Sequence, residues 1–569
     1  MFFSTPHELL KPIHSLLKKP FAFEAGISIG EKLKPHLEAR EDFAELQELA
    51  RLYDMARLEL LPYLMTLRHK LENELSLVIP VEAHLGTVCS NRFAGPAPQI
   101  HGMDGSAYLS YVSVQCQLER LYDHFGLKRS GSKNPLQSHE CVNAIKVLML
   151  SELLALAMAG IAKVEQHPGG FLCTASGSPA QYTLRNTWFA RAAELSSHMG
   201  TMAFANRLAA SDDVTPAALQ MLTERILEQD LSLPWRKLSE AGRALKSVEQ
   251  IHVAARLVAL LMLLGIQNKT LTMSAAKLTR YGLGFGAVAA LLQRQKDALV
   301  TDQFLLRRDD CLTMRIEGAA KGLRQLFHVL EAEYGDRDAL RIHVGGHFYE
   351  RTHIRQRIEQ GADFLPRFRI LEGFDRYKVM GEVESQCDVE FIIHDTEQNH
   401  YYFIQAKHAL LGEKAFLEAV VEAIQKDIGK GLHQLREAKR LLNDGALDAT
   451  LKARGVTDAV PANCSFVLLH NIAQLDFQYA EDGISLYDWA TFRNLLKDAE
   501  CSYGHSDHEP VWIRLPTPLV VSHPTAVIQR LLSEHPAYQQ LYRDPWAQER
   551  VSVSYTVSGK SVQVHGLGI

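Results

Sequence analysis

Asp388, Gln405 and Lys407 are the residues of this chain whose types and spacing best fit chemistry. Asp388 opens an apolar run over 389–393, which gives way to His394-Asp395-Thr396-Glu397-Gln398-Asn399-His400. A second apolar run over 401–404 ends in Gln405-Ala406-Lys407. Two short runs rich in β-branched and aromatic residues, separated by turn residues, predict a β-hairpin. Strand side chains alternate between faces, so Gln405 and Lys407 point the same way. With the strands in register they sit beside Asp388. An acid, an amide oxygen and an ammonium at one end of a hairpin suit a hydrated divalent cation, because hard cations take oxygen ligands.

The flanking elements must hold this end in place. Upstream, Gly345-Gly346-His347-Phe348-Tyr349-Glu350 and the charged, periodically apolar 351–361 read as a loop entering a helix. The segment 364–379 leads to a first strand. Downstream, 412–443 carries a long helical pattern, interrupted in character by Gly429 and Gly431. A short apolar run at 465–469 suits a buried strand. Residues 484–487 lead to a helix for which Asp488 is the expected N-cap. A plainer reading stands beside the chemical one: Asp388 begins a strand whose polar residues face outward. Glu382 and Glu384 are competing carboxylates just before it. Lys426, Lys430, Arg436, Lys439 and Arg440 form either a solvated helix face or a surface for a phosphate backbone. His347, Glu350 and His353 are spaced three apart and drift around a helix, unlike the i, i+4 pair of a zinc helix. The 505–509 run His-Ser-Asp-His-Glu has metal-like composition in a loop.

An Asp, a hairpin turn and then Gln-x-Lys, in this order of elements, resembles the PD-(D/E)XK nuclease superfamily. The Gln-x-Lys form is similar to its Mrr-like branch, and the resemblance spans about 341–498. It implies a restriction-endonuclease-like fold and phosphodiester hydrolysis dependent on Mg²⁺ or Mn²⁺, with DNA preferred to RNA as substrate. It implies catalytic roles for Asp388, Gln405, Lys407 and Glu350. The metal would be held by Asp388, Glu350, Gln405 and the Ala406 carbonyl, with Gln434 and Glu384 as accessory groups. Lys426, Lys430 and Arg436 would contact nucleic acid. Gln405 departs from the commoner Glu: its amide oxygen still suits a hard cation but brings less charge.

At 569 residues the chain exceeds a single core. The expected architecture is multidomain: a predominantly α-helical N-terminal region, an α/β restriction-endonuclease-like domain with a mixed sheet, and a small C-terminal extension. The boundaries read as 1–75 helical, 76–135 mixed with candidate strands at 77–80 and 108–116, 136–340 helical, 341–500 nuclease-like and 501–569 extension. The 138–334 region is expected to be helical, broken near 168–170 and 176–179. The extension is expected to stand apart and to close with a hairpin of 551–557 and 560–564. Thr5-Pro6-His7-Glu8 fits a helix-capping box.

Composition is that of an ordinary soluble protein, 47% hydrophobic and 22% charged. A net charge of −5 excludes a polycation, so nucleic-acid contact would need a local basic surface or metal neutralisation. Eight cysteines form no CxxC pair, which points away from a zinc module or a disulfide framework and toward a reducing cytoplasm. The apolar stretches 147–162 and 253–266 carry Glu152 and Arg256 and are short for a span, so they read as buried helices and no membrane is expected. No phosphate loop is present. The helical part is then expected to regulate or assemble the nuclease, through a homo-oligomer or a regulatory protein, as in a bacterial defence effector. The alternative is a degenerate nuclease fold that binds nucleic acid or serves as an interaction module.

Overall fold

The computed structural model describes residues 7–565 apart from 23–27, 74–115, 129–138, 197–198, 210–212, 316–318, 376–377, 380–382, 385–386, 409–416, 481, 504–510 and 544–551. Thr5, the 77–80 strand and the 505–509 loop lie outside these residues, as does the 108–116 strand save Cys116, which begins a helix. The protein is mixed α/β, and its described residues form three hydrophobic cores.

The N-terminal helices His7–Lys18, Ile29–Leu37 and Phe43–Leu60 gather around His139–Met158. That helix buries almost every residue from Val147 onward, and Glu152 lies inside it. The burial is tolerable because Glu152 is paired: both its oxygens accept from Arg191 Nη2 at 2.8 Å, and Gln117 Nε2 donates to it at 2.5 Å. His139–Met158 and Lys246–Ile266 are long and apolar enough to cross a membrane, but most of each apolar window is buried inside the protein. The second helix builds a separate core with Pro216–Asp230, Phe285–Asp297 and Ala319–Tyr334. Its Arg256 donates to the Tyr281 carbonyl at 2.8 Å and to Gln220 Oε1 at 3.0 Å.

Within the 138–334 region expected to be helical, Leu271–Thr272, Cys311–Met314 and Leu305–Arg308 form a three-stranded antiparallel sheet, and two further departures from the sequence reading also concern strands. The expected helix break near 168–170 is the turn of a hairpin, Ala162–His167 with Gly170–Ala175. Gly160, at φ +69°, stops the preceding helix, and buried Ala162 and Val164 then alternate with exposed Lys163 and Glu165. The second departure is the predicted 551–564 hairpin. It forms as Ser552–Val557 and Lys560–His565, with Ser558 and Gly559 both at positive φ in the turn. It does not stand apart: Lys560–His565 pairs in parallel with Gly170–Ala175, making one four-stranded sheet. At Gly170 even a methyl would fall 1.8 Å from the Ser561 carbonyl oxygen.

A six-stranded mixed sheet carries the residues of interest. Its spatial order is Gln478–Tyr479, Ile484–Asp488, Cys464–His470, His400–Ala406, Asp388–Asp395 and Phe368–Asp375. The three strands from Ile484–Asp488 to His400–Ala406 run parallel, and the outer pairings are antiparallel. One face packs on Leu417–Ala423 and Gly429–Asn443, in a core shared with the N-terminal helices. The other face packs on Ile354–Glu359, Trp489–Leu496 and Pro524–Glu534. The expected cap is present: Asp488 Oδ1 accepts from the Ala490 amide at 2.8 Å.

Candidate functional site

The predicted hairpin exists with its turn held from below. Asp395 Oδ1 accepts from the amides of Glu397 and Gln398 at 3.1 and 3.2 Å, while Arg367 grips the same carboxylate at 2.8 Å. Asn399 takes the positive φ that the tight turn needs. Pairing runs from His400↔Asp395 to Ile404↔Phe391. Continuing this register sets Gln405 across from Glu390 and Lys407 level with Asp388. The Lys407 amide extends the ladder on the other side by donating to the Leu469 carbonyl at 2.8 Å. Register thus brings Asp388, Gln405 and Lys407 to one end of the mixed sheet.

Gln405 is fully buried. With its amide oriented to satisfy both ends, the nitrogen donates to the Asp388 main-chain carbonyl at 2.5 Å and the oxygen accepts from Lys407 Nζ. The Lys407 stem runs along the Gly429–Asn443 helix where that helix has no side chain. A methyl on Gly431 would sit 3.2 Å from both Cγ and Cε of Lys407 and 2.6 Å from Leu468 Cδ1. Gly429 answers a different need. Ile424–Ile428 is a π-helix, and a methyl on Gly429 would lie 2.6 Å from the Ile424 carbonyl oxygen. The two glycines therefore shape the helix to the strand end rather than interrupt it. From this helix Gln434 Nε2 donates to Asp388 Oδ2 at 3.0 Å. Gln434 Oε1 is buried and has no hydrogen-bond partner among the described residues.

Glu350 reaches the same end from a π-helix, Phe348–His353. It is 5% exposed, and His347 Nδ1 lies 3.9 Å from its carboxylate. Burial pushes its pKa up to about 7; the Lys407 charge pulls it down, Glu390 pushes it up, Arg341 pulls it down and Asp388 pushes it up. In the sequence Glu390 looks like any polar residue on an alternating strand. The signal lay in the register, which sets it opposite Gln405. Alternation also breaks beside it: Val389 packs in the core on the Gly429–Asn443 side, whereas Phe391 and Ile393 belong to the opposite core. The break coincides with Gly373 on the neighbouring strand, where a methyl would strike the Val389 carbonyl oxygen at 1.8 Å.

The remaining candidates fall elsewhere. Glu384 closes a two-residue strand paired with Lys378–Val379, and its side chain, like Glu382, lies outside the described residues. The basic helix is not an open cationic stripe. Lys426 pairs with Glu422 and Arg436 with Asp482, while Lys439 donates to the Asp482 carbonyl at 2.5 Å. Arg440 bonds Glu437 and, at 2.8 Å, Asp444. Lys430 is exposed on this helix. His353 stacks on Tyr349 at 5.9 Å between ring centres, away from a zinc-like cluster with His347. Burial, with Lys237 and Arg493 nearby, depresses it to about 4.

Among the described residues, no three His, Cys, Asp or Glu side chains form a group that could hold a metal by themselves. The donors present are oxygens: the Asp388 carboxylate, the buried Glu350 carboxylate and the Gln434 Oε1, which has no partner among the described residues. Mg²⁺ keeps several waters and needs only one or two carboxylates, so such a set fits it, whereas soft metals prefer thiolates or imidazoles. A buried carboxylate whose pKa is raised is also one that a cation would favour in its charged form. No protein-family model, curated protein or solved structure matches this chain.

Proposed function

We propose that the chain is a divalent-metal-dependent nuclease acting on DNA in preference to RNA, as its resemblance to the PD-(D/E)XK superfamily implies. The observation that carries this reading is the meeting of Asp388, Gln405 and Lys407 at one sheet end, with Gln434 bonded to Asp388. Asp388 and Glu350 would hold Mg²⁺ or Mn²⁺, with the Ala406 carbonyl as a further donor. The bound ion supplies polarisation of the scissile phosphate and a lowered pKa for an attacking water. Gln434 keeps the Asp388 carboxylate in one orientation. Lys407, a compact ammonium donor, meets charge growing on the phosphate oxygens in the transition state. The helical region regulates or assembles this unit. The decisive test is plasmid cleavage by purified protein with Mg²⁺, Mn²⁺ or EDTA, for wild type and Asp388→Ala. Cleavage without a divalent ion, or unaffected by the substitution, refutes the assignment. A second reading, a nucleic-acid-binding module that does not cleave, is favoured by the neutral Gln405. It predicts DNA retention in gel shifts with no cleavage under any metal.

A further inference from the structure

We propose that Gln405 is a positioning residue that fixes the Lys407 ammonium against the Asp388 strand, and is not itself a ligand of the ion. The proposal rests on the nuclease reading above, and departs from the ligand role that the family resemblance implies for this position. Both ends of the amide are committed. The nitrogen is held by the Asp388 main-chain carbonyl at 2.5 Å, and the oxygen faces Lys407 Nζ. To ligate an ion as well, the oxygen would have to share its two lone pairs between the cation and the Lys407 ammonium, bringing two positive groups that repel each other onto one atom. The side chain is also fully buried, unlike half-buried Asp388, so it lies behind the groups a substrate could reach.

The chemistry of the position explains why an amide stands there. One end must donate, because it meets a carbonyl, and the other must accept, because it meets an ammonium. An amide does both; a carboxylate has no donor when ionised and would set a negative oxygen against the Asp388 carbonyl. Lys407 alone has about four flexible bonds between its strand and its ammonium. Gly431 gives its stem a slot and Gln405 fixes its tip, so the ammonium is held at both ends. The negative charge that an acid at 405 would have supplied is available across the strand pair. Continuing the pairing register sets Glu390 across from Gln405.

The test separates ion binding from turnover. Mn²⁺ binding is measured by calorimetry, and plasmid cleavage by gel, for wild type, Asp388→Asn, Gln405→Met, Gln405→Glu, Lys407→Met and the double variant Gln405→Met with Lys407→Met. Asp388→Asn weakens Mn²⁺ binding about tenfold or more, as loss of a charged ligand should. Gln405→Met leaves Mn²⁺ affinity within about twofold while cutting cleavage on the order of 10²-fold, the typical cost of a misplaced electrostatic group. The double variant cleaves no more slowly than Lys407→Met alone, and Gln405→Glu cleaves more slowly than wild type. Loss of Mn²⁺ affinity in Gln405→Met equal to that of Asp388→Asn overturns the proposal. So does a further loss of cleavage in the double variant, or a Gln405→Glu enzyme faster than wild type. Wild type that neither binds Mn²⁺ nor cleaves refutes the nuclease reading instead. The contact itself is then read from melting temperatures in EDTA. There the two Met substitutions together cost less than the sum of their separate shifts, and strictly additive shifts overturn the Gln405–Lys407 contact.

Discussion

Gly431→Ala adds a single methyl at the place where helix, strand and catalytic candidate meet. The added carbon would lie 2.6 Å from Leu468 Cδ1 and 3.2 Å from two carbons of Lys407. Two effects oppose. Alanine in a helix interior is better than glycine by about 0.5–1 kcal/mol. Overpacking a dense contact costs about 1–3 kcal/mol. Leu468 is fully buried in a central strand and has little room to retreat, so the steric term wins. The expected net loss is about 1 kcal/mol, within the spread of these terms. The Lys407 stem is the softer neighbour, and it moves first. A displacement near 1 Å of a catalytic group can cost about 10²-fold in rate. The assay pairs urea unfolding with metal-dependent plasmid cleavage and Mn²⁺ calorimetry. Modest destabilisation, sharply reduced cleavage and unchanged Mn²⁺ affinity are expected. Gly431→Ala with wild-type cleavage would refute the claim that this glycine sets the position of the ammonium.

Other substitutions probe other parts. Lys407→Ala should keep Mn²⁺ binding yet lose roughly 10²-fold in cleavage, whereas Asp388→Ala should lose both; calorimetry and gels separate the two. Glu350 has a folded pKa of about 7, above its ordinary value of 4.5, because burial disfavours the charged form. Its folded state therefore binds the extra proton, and metal-free stability should fall as pH rises from about 4.5 to about 7 and stay low above it. Glu350→Gln should flatten that slope in pH-dependent urea melts, and Mg²⁺ binding to wild type should strengthen as pH rises through the same window. Glu152→Gln leaves the buried Arg191 without its carboxylate and should cost about 3–5 kcal/mol in urea unfolding; a loss under 1 kcal/mol would show that Glu152 does not anchor the helical core.

Local patterns carried the hairpin at 388–406, the strand at 464–470 and the Asp488 cap, because alternation, turn residues and a cap are set by near neighbours. Non-local arrangements stayed hidden. The use of Gly431 depends on a lysine 24 positions earlier in the sequence, at the end of a strand that the helix covers. The basic helix looks cationic in sequence because Asp482, which engages Arg436 and Lys439, is over 40 residues away. The 162–175 hairpin is masked in the sequence because Ala162 ends the apolar run of the preceding helix. Glu390 needed the pairing register, which the sequence does not print.

The four-stranded sheet imposes an order in time. Its first hairpin, Ala162–His167 with Gly170–Ala175, is synthesised long before the 552–565 hairpin that completes it. At ribosomal rates of about 5–20 residues per second, the roughly 380 intervening residues take about 20–80 seconds to appear. The mixed sheet, whose strands all lie between 368 and 488, is fully translated within that interval. During the wait, the Gly170–Ala175 strand presents an open edge of the kind that recruits foreign strands. A newborn chain therefore has a late window in which the candidate catalytic sheet can form while the helical region still lacks its last two strands. Chaperone dependence should concentrate in that window.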